Sequence, residues 1–93
     1  MRWNIMEPYY LYILYSSSID RYYVGTSHDP HMRVKYHNSF PRGYTRRGRP
    51  WKLVYIKEFA SRSIARKWEE WLKQQKNRVL LEKIVRGEFD WEL

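Results

Sequence analysis

Residues 9–15 read Tyr-Tyr-Leu-Tyr-Ile-Leu-Tyr, an unbroken run of apolar and aromatic side chains. The run is far too short to span a membrane, and its aromatic, β-prone composition predicts a buried strand. Residues 16–20, Ser-Ser-Ser-Ile-Asp, supply turn chemistry, and residues 21–26 form a second short β-prone run. The two runs are close enough to pair as an antiparallel hairpin. Whatever else the chain does, it has to cover that apolar hairpin.

The rest of the sequence supplies the cover. Asp29 is placed to cap a helix, with Pro30 at its first position, where a missing N–H costs nothing. That helix should run to Asn38 or Ser39. Residues 40–50 hold two Pro, two Gly and four Arg with no acid, and are expected to form a mobile basic loop without regular structure. Residues 51–59 read as a third strand with apolar residues on both faces, which suits a central or well-covered position. Ser61 opens the clearest helix, with Ile64, Trp68, Trp71 and Leu72 spaced as its core face. Asn77 is set to cap a last helix through Val79, Leu80, Ile84 and Val85, ended by Gly87. The tail, residues 87–93, either returns as an edge strand or stays disordered. The expected fold is α+β: a small three-stranded antiparallel sheet flanked by three helices, in the order β-β-α-β-α-α.

At 93 residues, one domain spanning 1–93 is expected, with its core at about residues 9–86. Eighteen Lys and Arg against ten Asp and Glu give a formal charge of +8, which favours a polyanionic partner, nucleic acid first. The chain has no cysteine, so disulfides and Cys-based zinc sites are excluded. The first residues lack the apolar core of a signal peptide, and no run is long enough to cross a membrane, so a cytoplasmic location is expected.

The motifs resemble the GIY-YIG nucleases, in particular their small single-domain bacterial members. Tyr10-Leu11-Tyr12 matches the first motif and Tyr23-Val24-Gly25 the second. Arg33 follows that glycine by eight residues, and His37-Asn38 follows Arg33 by four. Glu69 lies on the long later helix, and Arg49-Pro50-Trp51 precedes the third strand. The resemblance covers roughly residues 9–85. It departs at Tyr10, where the first motif has glycine; short members often carry an apolar residue there. The resemblance implies Tyr12, Tyr23, Arg33, His37 and Glu69 as catalytic residues, Glu69 as the metal ligand, and Mg²⁺ or Mn²⁺ as cofactor.

Residue geometry points the same way. Strand alternation places Tyr10, Tyr12 and Leu14 on one face, and Tyr23, not Tyr22, on the motif side. Gly25 removes a side chain where a phosphate could approach the backbone. Arg33 and His37 lie about 40° apart around a helix, with Met32 and Tyr36 as the neighbouring apolar stripe. His28 and His31 read as surface residues. On the long helix, periodicity sets Glu69 at the flank of the apolar face and Glu70 towards solvent, where it would pair with Arg66 or Lys73.

These residues together suggest a metal-dependent DNA endonuclease. Tyr12 would act as base once nearby positive charge lowers its pKa, and Arg33 would stabilise charge on the phosphate. Tyr23 would orient water or a phosphate oxygen, and His37 would position the phosphate or carry a proton. Arg42, Tyr44, Arg46, Arg47, Arg49 and Lys52 would hold DNA by phosphate contacts and stacking, which gives affinity without sequence readout. Specificity would then come from DNA structure, branched or single-stranded, as in repair or recombination, or from a protein partner. Two rivals are a binding module without catalysis, and an interaction domain using its Trp-rich helix.

Overall fold

The computed structural model describes residues 7–92. The signal-peptide reading therefore rests partly on residues 1–6, which lie outside the described residues. Three strands and three helices follow in the expected order: β1 (Tyr9–Ser16), β2 (Arg21–Ser27), α1 (Pro30–Ser39), β3 (Trp51–Phe59), α2 (Arg62–Gln75) and α3 (Arg78–Val85). The sheet is antiparallel with strand order β2-β1-β3. β1, the apolar run, is thus the central strand, and Leu11, Tyr12, Ile13 and Leu14 are all buried.

Each face of β1 carries its own core. Leu11 and Ile13 join Val24, Leu72 and Ile84 on the side covered by α2 and α3. Tyr12 and Leu14 join Trp51 on the side covered by α1, with Tyr23, Val34 and Leu53 packed around them. Tyr22 packs on the α2–α3 side, opposite Tyr23. β3 is an edge strand, not a central one. It is apolar on both faces because helices cover the edge as well as the centre of so small a sheet. Its register slips between the partners of Ile13 and Leu14, which turns Val54 and Tyr55 to the same core.

The caps are those the sequence announces. Asp29 accepts from Met32 N at 3.1 Å, Ser61 from Ile64 N at 3.3 Å, and Asn77 from Leu80 N at 3.2 Å. Arg78 ties the start of α3 to the hairpin turn through the Asp20 carboxylate at 2.6 Å and its carbonyl at 2.9 Å.

Three expectations fail in instructive ways. Residues 40–50 are not irregular throughout: Tyr44–Gly48 form a 3-10 helix. Thr45 and Gly48 in it are buried, and the Trp51 indole N–H donates to the Thr45 carbonyl. The tail is neither strand nor loose end. Phe89 and Trp91 fold back onto the α2–α3 core, and the Trp91 indole donates to the Tyr55 hydroxyl at 3.0 Å. The buried face of α2 is centred on Ala65 and Leu72, while Ile64 and Trp71 are 42% and 40% exposed. A small residue lets the helix approach the sheet, and the larger side chains spread to its sides.

Candidate active site

Helix α1 lies on the sheet the wrong way round for an ordinary amphipathic helix. Met32, Tyr36 and Phe40 face outward, at 60%, 41% and 40% exposure. The buried positions are Pro30 and His37, with Arg33, Val34 and Asn38 half-buried. The polar residues face inward because Tyr12, beneath them, is buried with a hydroxyl that needs partners. The expected apolar stripe of Met32 and Tyr36 is therefore a surface stripe, and Arg33 leans over the Tyr36 ring at 4.8 Å.

A buried hydrogen-bonded chain results. The Tyr12 hydroxyl lies 3.0 Å from His37 Nε2, and His37 Nδ1 lies 2.8 Å from Thr45 Oγ1. The 3-10 helix thus delivers the hydroxyl that fixes the far side of the imidazole. Burial, reinforced by the Arg33 charge, lowers the His37 pKa to about 4. The ring is neutral near pH 7, so the titration expected close to neutrality does not occur in the free protein. Burial also pushes Tyr12 up to about 12, against the pull of the adjacent Arg33. The lowering expected from nearby positive charge is present but outweighed.

Gly25 sits directly across from Tyr12 in the β1–β2 register. A Cβ there would lie 2.5 Å from the Tyr12 hydroxyl and 2.6 Å from Cζ. The glycine makes room for the tyrosine ring, whatever space it also leaves for a phosphate.

The ring of Tyr12 forms part of the wall of a cavity of about 400 Å³, with Tyr23, Gly25, Arg33 and Glu69 among the other lining residues. Four of the five expected catalytic side chains thus meet in one place, and the fifth, His37, stands behind Tyr12. Among the described residues, Glu69 is the only acid on the cavity wall, and its side chain is 15% exposed. Its carboxylate accepts from Thr26 Oγ1 and from Lys73 Nζ, each at 2.8 Å. Lys73 therefore pairs with Glu69, not Glu70, in the favourable order with the acid one turn before the base. Arg33 contributes the remaining unusual feature: its Nε is shielded from solvent and has no hydrogen-bond partner.

Several wall residues escaped the sequence reading. Arg62 and Arg66 on α2 line the cavity, as does His28, which is exposed at its rim. Helical spacing from Glu69 could have found Arg62 and Arg66, at i−7 and i−3. Thr45 had no such signal, since only the tertiary fold brings it to His37.

The basic residues divide. Arg42, Tyr44, Arg46 and Arg47 line a second cavity of about 880 Å³ beside the hairpin turn. Arg49 turns inward instead, and its Nε donates to the His37 carbonyl at 2.8 Å. Lys52 alternates with Trp51 and Leu53, so it leaves the sheet on the opposite face, away from that cavity. Asn38 clamps the start of β3, donating to Trp51 O at 2.9 Å and accepting from Trp51 N at 2.6 Å.

The sequence pattern of the GIY-YIG catalytic domain matches residues 8–84. The chain belongs to the GIY-YIG family. Among solved structures, the solution NMR structure of a UPF0213 protein from Bacillus halodurans shares 29% identity with it. The match covers 87% of this chain and 85% of that one, with a TM-score of 0.54. No curated protein matches the chain. Membership in the GIY-YIG family supports a nuclease-type function. Among the described residues, no helix is long and apolar enough to cross a membrane.

Proposed function

We propose that this GIY-YIG protein is a divalent-metal-dependent endonuclease that hydrolyses DNA phosphodiesters. Its cutting is directed by DNA structure or weakly by sequence, with or without a protein partner. The observation that carries the reading is the convergence of Tyr12, Tyr23, Arg33 and Glu69 on one cavity, with a shielded Arg33 donor left unpartnered. A phosphate oxygen is the acceptor that would complete it.

Among the described residues, no three His, Cys, Asp or Glu side chains converge. Glu69, the only acid among the described residues that line the cavity, would be the carboxylate that holds a metal ion. That donor set fits Mg²⁺ or Mn²⁺ better than a soft metal, because Mg²⁺ keeps most of its water and accepts substrate oxygens. The Lys73 side chain, half exposed, can withdraw from the carboxylate. A bound divalent ion would offset negative charge on the phosphate.

The protein's own groups do the rest. Arg33 holds the phosphate and stabilises charge as it builds, with Arg62 and Arg66 adding positive potential at the mouth. With His37 as its Nδ1–H tautomer, Tyr12 would donate its O–H to Nε2 and Nδ1–H would donate to Thr45 Oγ1. Of the Tyr12 oxygen's two lone pairs, the adjacent Arg33 guanidinium would engage one, and the other would be the acceptor for a water's proton. As the new P–O bond forms, the attacking water would give its proton to Tyr12 Oη while the Tyr12 proton passes to His37 Nε2, so no free phenolate is needed; the opposite ester P–O bond breaks and its oxygen leaves with a proton taken from solvent water. The bound phosphate offsets the Arg33 charge, one of the two causes of the low His37 pKa, and so favours the transfer. Tyr23 orients the water.

The test is cleavage of linear, nicked, flapped and four-way DNA with Mg²⁺. Glu69→Gln should lose activity by roughly 10²–10³-fold, the scale of a single electrostatic group in a phosphoryl site, while still binding DNA. Arg33→Ala should lose cleavage comparably. Absence of cleavage of every form by wild-type protein, with salt-dependent binding intact, would favour the non-catalytic binding module.

A further inference from the structure

The active cavity opens onto a longer surface that no motif describes. Tyr23 lines the active cavity and also a neighbouring one of about 840 Å³, which runs along the free edge of β2 towards α2 and α3. That second cavity shares Ile19, Arg21 and Tyr44 with the basic cavity of the 3-10 helix. The ion pair of Glu69 with Lys73 bridges the first two, and the Tyr23 and Tyr44 rings stand 6.3 Å apart. The three cavities therefore stand in a row beside β2, a groove that the Glu69–Lys73 pair crosses between the inner two. From Gly25 back to Arg21 it follows five strand residues, roughly 13 Å at strand spacing, and then reaches the hairpin turn at Ile19 and Asp20.

Its chemistry is consistent along its length. Among the described residues, seven basic side chains line the two outer chambers against one acid, Asp20; Arg78 holds Asp20 at 2.6 Å and Lys73 pairs with Glu69, which leaves five cations outside these ion pairs. Phosphates can therefore be met all along it. Between the cations lies a face on which a base can stack, Tyr44, 77% exposed, with Ile19, 40% exposed, beside it, while the Tyr23 ring behind them is covered by Lys73 at 5.5 Å. A duplex keeps its bases in its own stack and offers such a ring nothing but backbone. An unpaired strand presents base faces at every nucleotide.

We propose that this groove binds an unpaired DNA strand extending from one side of the scissile phosphate. The substrate class is then DNA carrying a single-stranded tail or flap, held over a few nucleotides between the active cavity and the 3-10 helix. This rests on the endonuclease reading for the position of the scissile phosphate, while the strand-binding groove stands on its own residues.

The experiment compares a blunt duplex with the same duplex carrying thymidine tails of increasing length. Binding is read by fluorescence anisotropy without metal, and cutting is read separately with Mg²⁺. Affinity should rise by about tenfold or more as the tail grows to roughly four nucleotides, then level off, since stacking of one base is worth about 1–3 kcal/mol. Tyr44→Ala and the pair Arg46→Gln, Arg47→Gln should each remove most of that advantage, and Arg21→Gln part of it. Circular dichroism checks that the variants fold. Equal binding of blunt and tailed DNA overturns the groove assignment, as does an equal loss on both substrates in the variants. Tail-dependent binding without any cutting supports the groove and removes the endonuclease reading instead. Cutting without tail preference leaves the endonuclease and removes the groove.

Discussion

Replacing Gly25 by alanine separates two explanations of a motif glycine. If Gly25 serves only the approach of a phosphate, alanine should leave the folded protein intact or improve it. A strand-interior glycine costs about 0.5–1 kcal/mol relative to alanine, so stability would rise by that amount. The geometry predicts the reverse. The new Cβ would meet Tyr12 at 2.5 Å from its oxygen, 2.6 Å from Cζ and 3.0 Å from Cε1. Tyr12 is 1% exposed and backed by His37 at 3.0 Å, so the ring cannot swing away freely. Overpacking of this kind costs about 1–3 kcal/mol, and loss of the Tyr12–His37 hydrogen bond adds about 1 kcal/mol. Set against the glycine relief, Gly25→Ala should destabilise by about 1–3 kcal/mol. The assay is urea unfolding of four proteins: wild type, Gly25→Ala, Tyr12→Leu and the double variant. Leucine does not reach the positions of the ring oxygen and Cζ, so Gly25→Ala should be nearly neutral in that background. The coupling between the two sites should then be about 1–3 kcal/mol. A Gly25→Ala protein as stable as wild type, with only a raised KM for DNA, would refute the argument and return Gly25 to the phosphate.

Two further predictions concern stability. Because the folded His37 pKa lies near 4, below the ordinary 6.5, the fold favours the neutral ring, and its contribution is complete above pH 6.5. It is lost as pH falls from 6.5 towards 4, by at most roughly 3 kcal/mol at about 1.4 kcal/mol per tenfold. Urea midpoints of wild type and His37→Gln across this window check it, and parallel pH curves would sink it. Trp91→Ala should cost about 2 kcal/mol, less than the full burial of a Trp because the side chain is only half-buried. An unchanged unfolding midpoint would show that the tail does not dock in solution.

How much of this was legible beforehand depends on whether the signal was local. Caps and strands were readable because Asp29, Ser61 and Asn77 act within three residues, and because the run at 9–15 leaves few conformational options. Strand order was not readable: residues 51–59 are as apolar as a central strand because helices cover both sides of so small a sheet. The four cavity residues were legible through motif order and spacing. Their hydrogen-bonded support was not, because Thr45 acts through a 3-10 helix that a run of Arg, Gly and Pro conceals. The α2 face was misjudged in a revealing direction. The spacing of Ile64, Trp68, Trp71 and Leu72 set the expected face, whereas packing centred it on Ala65 and Leu72. That rotation brings Glu69 about 40° from Ala65, nearer the sheet than its sequence position suggested.

The inverted helix α1 is where stability and chemistry oppose each other most openly. Turning Met32, Tyr36 and Phe40 inward would bury apolar area, and the sequence provides them at helical spacing for that purpose. The helix instead buries His37 and shields the Nε of Arg33 without a partner, both of which destabilise the free protein. Elsewhere the fold compensates: Asn38 makes two hydrogen bonds to the Trp51 backbone, Arg49 satisfies the His37 carbonyl, and Trp51 fills the core below. The orientation of α1 is thus held from its C-terminal end by β3 and the loop before it. Its middle remains free to present an arginine donor and a neutral imidazole to the tyrosine. A helix placed by apolar burial alone would hide Met32 and expose Arg33, and the cavity would lose the guanidinium that lies beside Tyr12.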